Sequence, residues 1–450
     1  MTPRQFPGKT LQRVLMYRLI CTLVTVAPCF AFAGGLVWSD RPSGTRSIKA
    51  SGFDGSDRRT LYSSAGDPRG VIIDAESERV FFTDRFGGTA TSGEINSVPL
   101  TGGARAQHLS GLNRPADLRL DAATRTLYWC EENAGLIRRA HLPLAAGILT
   151  AESLITGVPN PYYLDFDPIR SLLVWGSSGN SLQSGPLTGG SANPPLYSAG
   201  QNMRGVCVDS TAGMVYWVER DGPRAIRRRA LDGGSIEDLY TGLDTPHGLV
   251  LDLPARRMYW VDTGSQNAGG FNARGVSRGH MDGQAREAAE VVVAGTPADQ
   301  PWDVDLDPRV ANYAEWQARF FRFDASAVLT DPAADPDEDG LISFGEYAFG
   351  QSPLLADGDG MVVPTMVTVD FQIYPAITFP QRAEVPDVAY AVSLSMDLIS
   401  WSASGDGTIE VGHSARDSQG MQRVTVRSTT AATGAPRQFF QVRASRVTPP

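Results

Sequence analysis

The sequence predicts an all-β fold built as a ring of small sheets, and two regularities predict it. The first is a short apolar-aromatic tag that recurs six times: Val37-Trp38-Ser39-Asp40, Phe81-Phe82-Thr83-Asp84, Tyr128-Trp129-Cys130-Glu131, Val174-Trp175-Gly176-Ser177, Tyr216-Trp217-Val218-Glu219 and Tyr259-Trp260-Val261-Asp262. Successive tags are 44, 47, 46, 42 and 43 residues apart. The second is a seven-residue element, repeated as Pro68–Asp74, Pro115–Asp121, Pro161–Asp167, Met203–Asp209, Pro246–Asp252 and Pro301–Asp307.

In the first five of these elements the final Asp stands seven residues before a tag, with a polar turn such as Ser210-Thr211-Ala212-Gly213 between. Two short β-rich runs joined in this way make a hairpin. After most tags a third run ends in a turn such as Leu100-Thr101-Gly102, Leu231-Asp232-Gly233 or Met281-Asp282-Gly283. Gly in these turns supplies the positive φ that tight hairpins require. A fourth run follows, for example Ile236 to Leu239. Four strands per unit and six units give a six-bladed β-propeller over residues 34–308.

The order of parts says how the ring closes. The first tag has no preceding element, and Pro301–Asp307 has no following tag. Blade six is therefore expected to join Pro301–Asp307 to the first tag strand, which protects edges that would otherwise be open.

The tag aromatics at equivalent positions, Trp38, Trp129, Trp175, Trp217 and Trp260, are expected to pack between blades. The repeated Asp74, Asp121, Asp167, Asp209, Asp252 and Asp307 are expected to bond turn amides. The residue after each leading Pro or Met is expected at one mouth of the channel: Arg69, Ala116, Tyr162, Arg204, His247 and Trp302. Arg, Tyr and Trp are enriched at binding hot spots. Arg69, Tyr162, Arg204, His247 and Trp302 are accordingly the candidate ligand-binding residues, suited to a protein or glycan ligand that carries negative charge.

The repeat, with Pro-x-Gly-φ-x-φ-Asp, a tag and Leu-Asp-Gly, resembles the YWTD propeller of the low-density lipoprotein receptor class B repeats. The resemblance covers about residues 36 to 307 and is best over Met203–Glu219 and Pro246–Asp262. It departs where Ser177 replaces the tag acid and where Cys130 replaces the threonine. The resemblance implies the fold and a rigid platform for ligands. No flanking cysteine-rich growth-factor module is visible, so receptor biology does not follow from it.

Beyond the ring, Tyr313 to Phe321 has aromatics at helical spacing and leads to Asp335-Pro336-Asp337-Glu338-Asp339-Gly340-Leu341-Ile342-Ser343-Phe344-Gly345-Glu346. These twelve residues fit the EF-hand loop. Asp335, Asp337 and Asp339 supply carboxylates, Leu341 a carbonyl, Ser343 a direct or water-borne contact and Glu346 a bidentate carboxylate, with Gly340 at the sharp turn. The expected ion is Ca2+. Asp357-Gly358-Asp359-Gly360 is too short to be a second loop, and the helix Ser343 to Phe349 is brief. The segment 309–360 thus looks like the single calcium loops of dockerin-type or thrombospondin-type-3-like segments in bacterial exported proteins. Residues 361–450 return to alternation at Val367–Phe371, Tyr390–Leu394, Arg423–Val426 and Phe439–Val442, which predicts a small β-sandwich.

Residues 1–33 read as a signal peptide: Arg4, Lys9, Arg13 and Arg18 precede an apolar stretch from Leu19 to Phe32 and an Ala31-Phe32-Ala33 cleavage site. The stretch is too short for a membrane span. The expected location is outside the cell or on its surface, with the periplasm as an alternative. Removal of the leader leaves Cys130 and Cys207, in different repeats, and no disulfide framework. The formal charge of -9 and the lack of a basic run argue against nucleic acid as a partner. A monomer is expected.

Two functional readings remain open. One is a non-catalytic recognition protein. The other is a lactonase-like propeller hydrolase with a metal in the channel, for which Asp117, Asp165, Asp303 and Asp305 are the available acids. Against an enzyme, the five histidines are scattered and no lysine lies beyond residue 49. Gly275-Val276-Ser277-Arg278-Gly279 spells a nucleophile-elbow string but falls on a third strand with no helix after it.

Overall fold

A computed structural model describes residues 34–447 apart from 65, 86–90, 144–146, 179–180, 199–201, 265–273, 358–360, 384 and 434–436. The expected leader at 1–33 and its cleavage site lie outside the described residues. Residues 34–308 form a six-bladed propeller of four-stranded antiparallel sheets. Blade one consists of Pro68–Asp74, Arg79–Asp84, Gly93–Pro99 and Ala106–Leu112, from the axis outward, and the next four repeat this order. In blade six the inner strand Pro301–Asp307 pairs with Gly35–Asp40, followed by Arg46–Ser51 and Arg59–Ser64. The first and last strands of the ring therefore share one sheet.

Each repeated residue has a local physical task. The tag tryptophans Trp129, Trp175, Trp217 and Trp260 are wholly buried. Two of the indole N–H groups donate to their tag acids, Trp129 to Glu131 (3.3 Å) and Trp217 to Glu219 (3.1 Å), whereas Trp175 donates to Gln183 Oε1 (3.0 Å). The tag acids also cap the entry to the inner strand: Asp262 accepts from Asp244 N at 3.1 Å and Thr245 N at 2.8 Å. The tag hydroxyl stitches neighbouring blades, since Thr83 Oγ1 accepts from Gly70 N at 3.0 Å and donates to Ala116 O. Ser39 Oγ likewise accepts from Asp303 N and donates to Arg69 O.

The Asp that ends each inner strand holds the next turn. Asp121 accepts from Ala123 N at 3.0 Å, Asp167 from Ile169 N at 2.9 Å and Asp209 from Ala212 N at 2.9 Å. The glycine of Pro-x-Gly marks the closest approach of inner strands. A Cβ on Gly70 would stand 2.8 Å from Asp117 Cα, and one on Gly248 would stand 2.6 Å from Asp303 Cα. The inner strand is also bulged at this point, as between Pro246 and Leu249.

The segment after the ring packs on the end of the propeller where the inner-strand Asp residues lie. Helix α1, Tyr313–Phe320, is capped by Asn312, whose side chain accepts from Glu315 N at 3.0 Å. Helix α2, Ser343–Phe349, ends on Gly350 with φ 77°. Tyr313, Trp316, Phe320, Phe321, Phe344 and Tyr347 share one core with Phe53, Tyr259 and Val293 of the propeller. Buried Arg319 grips Asp252 through two bonds of 2.6 and 2.7 Å.

The C-terminal region is a four-stranded sheet, ordered Val363–Val369, Gln372–Arg382, Met421–Ser428, Thr408–His413, and a two-stranded sheet of Val388–Ser395 with Phe439–Arg446. Ile377, Phe379, Val424 and Val426 of the first pack with Tyr390, Val392, Phe440 and Val442 of the second. Asp387 ties this module to both helices, accepting from Tyr347 Oη and Tyr313 N, each at 2.7 Å. One expected strand needs correction. Val367–Phe371 does not run through to Phe371, because Asp370 and Phe371 form a tight turn with φ 48° and 63°. The strands Gln372–Arg382 and Thr408–His413 were not among the expected runs; the first is interrupted in pattern by Pro375 and Pro380.

Candidate functional site

The inner strands all run the same way around the axis, so their leading residues meet at one mouth of the ring. Arg69, Tyr162, Arg204, His247 and Trp302 are brought together there, packed closely enough that only Trp302 is more than marginally exposed. Trp302 carries two guanidiniums, those of Arg41 and Arg69, each 4.3 Å from its ring. His247 stacks against the same indole at 3.8 Å. Tyr162 carries Arg204 at 4.0 Å and Arg85 at 5.1 Å from its ring. Ala116 adds no polar group.

Three of these mouth residues, Arg41, Arg85 and Arg220, were not among the predicted ones. Each directly follows a tag acid, as Asp40-Arg41, Asp84-Arg85 and Glu219-Arg220. The top of the tag strand therefore delivers a second set of side chains to the mouth, and that recurring acid-arginine pair was the available signal.

The site is strongly positive. Asp67 pairs with Arg41 and Arg69, and Glu132 with Arg85 and Arg114. Among the described residues, Arg204 and Arg220 have no carboxylate within ion-pair distance, and the buried Nε of each lacks a hydrogen-bond partner. Trp302 Nε1 and both ring nitrogens of fully buried His247 also lack one. Burial, followed by Arg220, Arg204, Arg69 and Arg41, holds His247 well below its ordinary pKa and hence neutral. Burial alone would raise the Tyr162 phenol, yet Arg85, Arg69 and Arg204 bring it below its usual value. These are the marks of a place where negative charge is missing.

Among the described residues the channel acids form no cluster of the kind that holds a metal. Each gives one oxygen to a backbone amide of the neighbouring inner strand: Asp303 accepts from Val71 N (3.0 Å), Asp305 from Ile73 N (2.7 Å), Asp117 from Leu164 N (3.1 Å) and Asp165 from Val208 N (2.7 Å), while Asp303 Oδ1 is buried without a partner. Buried Arg119 stands among them, bonded to Asp117 at 2.9 Å, and already supplies the cation. Cys207 is fully buried, donating to Leu249 O at 3.0 Å, and Cys130 is buried and free. Ser277 lies buried on a third strand, away from any strand-to-helix turn.

The acidic loop is arranged differently. Carboxylate oxygens of Asp335, Asp337 and Asp339 all lie within 4.8 Å of one another. Gly340, with φ 93°, turns the chain so that its N–H reaches Asp335 at 3.0 Å. Ser343 and Glu346 open α2 and are wholly buried, with Ser343 Oγ and both Glu346 oxygens lacking partners. Asp335 Oδ1 and Asp337 Oδ2 are also buried without one. Burial first, then Asp337, Asp339, Asp357 and Asp335, pushes the Glu346 carboxyl up to about 8. Unpaired oxygens facing inward on a hard-oxygen set match the donor chemistry of calcium, so the residues present fit the ion.

No family model matches the chain. Among curated proteins, it is 23% identical over 263 residues to low-density lipoprotein receptor-related protein 1 of Pyricularia oryzae, covering 52% of this chain and 72% of that one. It is 25% identical over 174 residues to mouse low-density lipoprotein receptor-related protein 5, covering 38% of this chain. Over the ring the chain is thus similar to low-density lipoprotein receptor-related proteins, in keeping with the YWTD resemblance of its repeats. The match spans 11% of the mouse protein, so the likeness is to one part of a far longer chain. Among solved structures, the nidogen/laminin complex contains a chain that superposes with a TM-score of 0.50 at 16% identity, over 61% of this chain and 98% of that one. At that identity the likeness concerns the fold.

Proposed function

We propose that the protein is an exported, non-catalytic recognition protein whose YWTD propeller binds a protein ligand through an acidic group seated at the arginine-lined mouth. One observation carries the reading. Guanidiniums and aromatics converge on one end of the ring where, among the described residues, Nε of Arg204 and of Arg220 and both ring nitrogens of His247 lack partners, while α1, α2 and the C-terminal module pack at the opposite end. With one end capped, the mouth is the end proposed to receive the ligand, which suits a platform. The low-density lipoprotein receptor-related relatives, and a similar chain solved in a nidogen/laminin complex, support protein binding. Among the described residues no helix is long and apolar enough to cross a membrane. The proposed location is outside the cell or at its surface, and the proposed state is a monomer, since one chain closes its own ring.

The loop from Asp335 to Glu346, with Asp337, Asp339, Leu341 and Ser343, is the proposed structural Ca2+ site. Bound calcium would supply positive charge to four carboxylates and fix the start of α2. Ser343 and Glu346 would then hold the helix that carries Tyr347, which in turn holds Asp387 of the C-terminal module.

The test is ligand capture by the immobilised full chain and by an Arg204→Ala, His247→Ala, Trp302→Ala variant with an unchanged melting temperature. The variant is expected to lose capture of a protein from the surrounding medium, and the wild-type complex to weaken steeply as salt rises. Undiminished capture by the variant would overturn the reading. Capture that survives complete protease treatment of the medium would make the ligand an acidic glycan.

A further inference from the structure

The tag tryptophans are not all closed off in the same way. In blades two and four the tag acid is a glutamate, long enough to reach back to its own indole. Glu131 accepts from Trp129 Nε1 at 3.3 Å and Glu219 from Trp217 Nε1 at 3.1 Å. An arginine directly across the strand pair from each tryptophan, Arg138 or Arg227, holds that glutamate at 3.0 Å. In blade three Gln183 stands across from Trp175 and accepts its N–H. Blade six differs in both places. Its acid is Asp40, one methylene shorter, and the residue across from Trp38 is Lys49. Lys49 bonds Asp40 at 2.5 Å and Asp299 at 2.7 Å. The Trp38 N–H has no acceptor among the described residues.

The missing side-chain length leaves a pocket of about 200 Å³ in the cleft between blades five and six. Trp38, Val293, Ala294 and Pro301 supply apolar wall, and Lys49, Arg58, Arg59 and Asp299 supply charge. Asp40 and Asp299 already meet the charge of Lys49. Arg58 instead bonds carbonyls, Gly55 O at 3.1 Å and Ala294 O of blade five at 2.8 Å. Among the described residues no carboxylate lies within ion-pair distance of it. Indole and guanidinium groups donate and never accept, so the partner missing here is an acceptor with negative charge. The contrast with Trp260 is instructive: its N–H also lacks a partner, but that ring is wholly sealed in the core, whereas Trp38 keeps 4% of its surface open.

We propose that this pocket binds a small organic monoanion, an aromatic or branched aliphatic carboxylate, with Trp38 Nε1 and Arg58 as donors to the acid and Val293, Ala294 and Pro301 as the bed for the apolar body. Size sets the class. A dry cavity of about 150 Å³ holds benzene, so about 200 Å³ admits a ring that carries a carboxylate and little more. None of the five predicted mouth residues lines the pocket, so the site stands independently of the protein-binding reading.

The experiment is saturation-transfer NMR on the full chain with benzoate and with its neutral isostere benzamide. Wild type is compared with Trp38→Phe, Ala294→Phe and the Arg204→Ala, His247→Ala, Trp302→Ala variant, each matched to wild type in melting temperature. Trp38→Phe keeps an aromatic ring and removes the N–H, and Ala294→Phe fills the pocket from an exposed position. Wild type should bind benzoate saturably, and benzamide about tenfold more weakly. Trp38→Phe should weaken benzoate about tenfold, the scale of one hydrogen bond to a charged group. Ala294→Phe should abolish binding, and the mouth variant should bind as wild type does. No saturable binding of benzoate by wild type, equal binding of benzoate and benzamide, or affinity unchanged in both Trp38→Phe and Ala294→Phe would overturn the proposal. Binding lost in the mouth variant and kept in Trp38→Phe would also overturn it, and would leave the mouth as the anion site.

Discussion

Asp305 reaches across the gap between blades six and one to accept the Ile73 amide, and burial pushes its carboxyl up to about 7. Asp165 makes the equivalent link between blades three and four and is raised to about 6, again chiefly by burial. In the unfolded chain both titrate near 3.8. Because the folded state holds the proton more tightly, the stability they contribute is full below that value and is lost as pH rises through 6 and 7. The melting temperature should therefore fall between pH 5 and pH 8. Asp305→Asn keeps an oxygen for Ile73 and removes the titration. It should flatten that fall and exceed wild type at pH 8 by up to on the order of 3 kcal/mol. Identical pH profiles by calorimetry would contradict the assignment. At this scale the sequence was legible where a residue recurs: the turn-bonding Asp was readable from its six-fold repetition and the buried Trp from its place in five of the six tags. Arg41, Arg85 and Arg220 were harder to read, although each directly follows a tag acid. Their convergence on the mouth is set by how the blades assemble around the axis.

At the scale of elements, α1 is fastened to the propeller by one residue above all. Arg319 is wholly buried and shares two bonds with Asp252, a third with Pro308 O and a fourth with Gln419 Oε1. Removing one partner of a buried pair leaves the other charge unsolvated, which typically costs about 3–5 kcal/mol. Arg319→Met should lower urea stability by that amount, and Arg319→Met with Asp252→Leu should recover part of it. The recovery is partial because Asp252 also accepts from Ala255 N. A loss below about 1 kcal/mol in the single variant would contradict this role. The helices were readable from aromatic spacing at Tyr313–Phe320 and from the loop that precedes Ser343–Phe349. The C-terminal sheet was less so, because the Asp370-Phe371 turn lacks the glycine that announces a tight hairpin, and prolines disturb the alternation of Gln372–Arg382. The helix contribution to calcium dependence is also testable here: calcium should raise the melting temperature of wild type, and Glu346→Gln should abolish the rise.

For the whole molecule, the ring closes by pairing residues more than two hundred and fifty positions apart, Gly35 with Asp307 and Trp38 with Val304. A chain lacking residues 34–64 would expose the edge of Pro301–Asp307 and is expected to lose cooperative melting and to aggregate. A soluble, cooperatively melting deletion would show that the ring does not need this closure. The closure was legible because the repeat was out of phase at its two ends. Which end of the ring meets a ligand was only half legible: the leading residues of the inner strands pointed to the mouth, and the placement of the linker and C-terminal module at the opposite end came from long-range packing. The central claim is that the ligand sits at the mouth. Photo-crosslinking tests it most directly, with a photoreactive side chain placed at position 220 of the mouth or at position 76 of the opposite rim. An adduct with the captured protein from position 220 alone is the predicted result, and an adduct from position 76 alone would contradict the account.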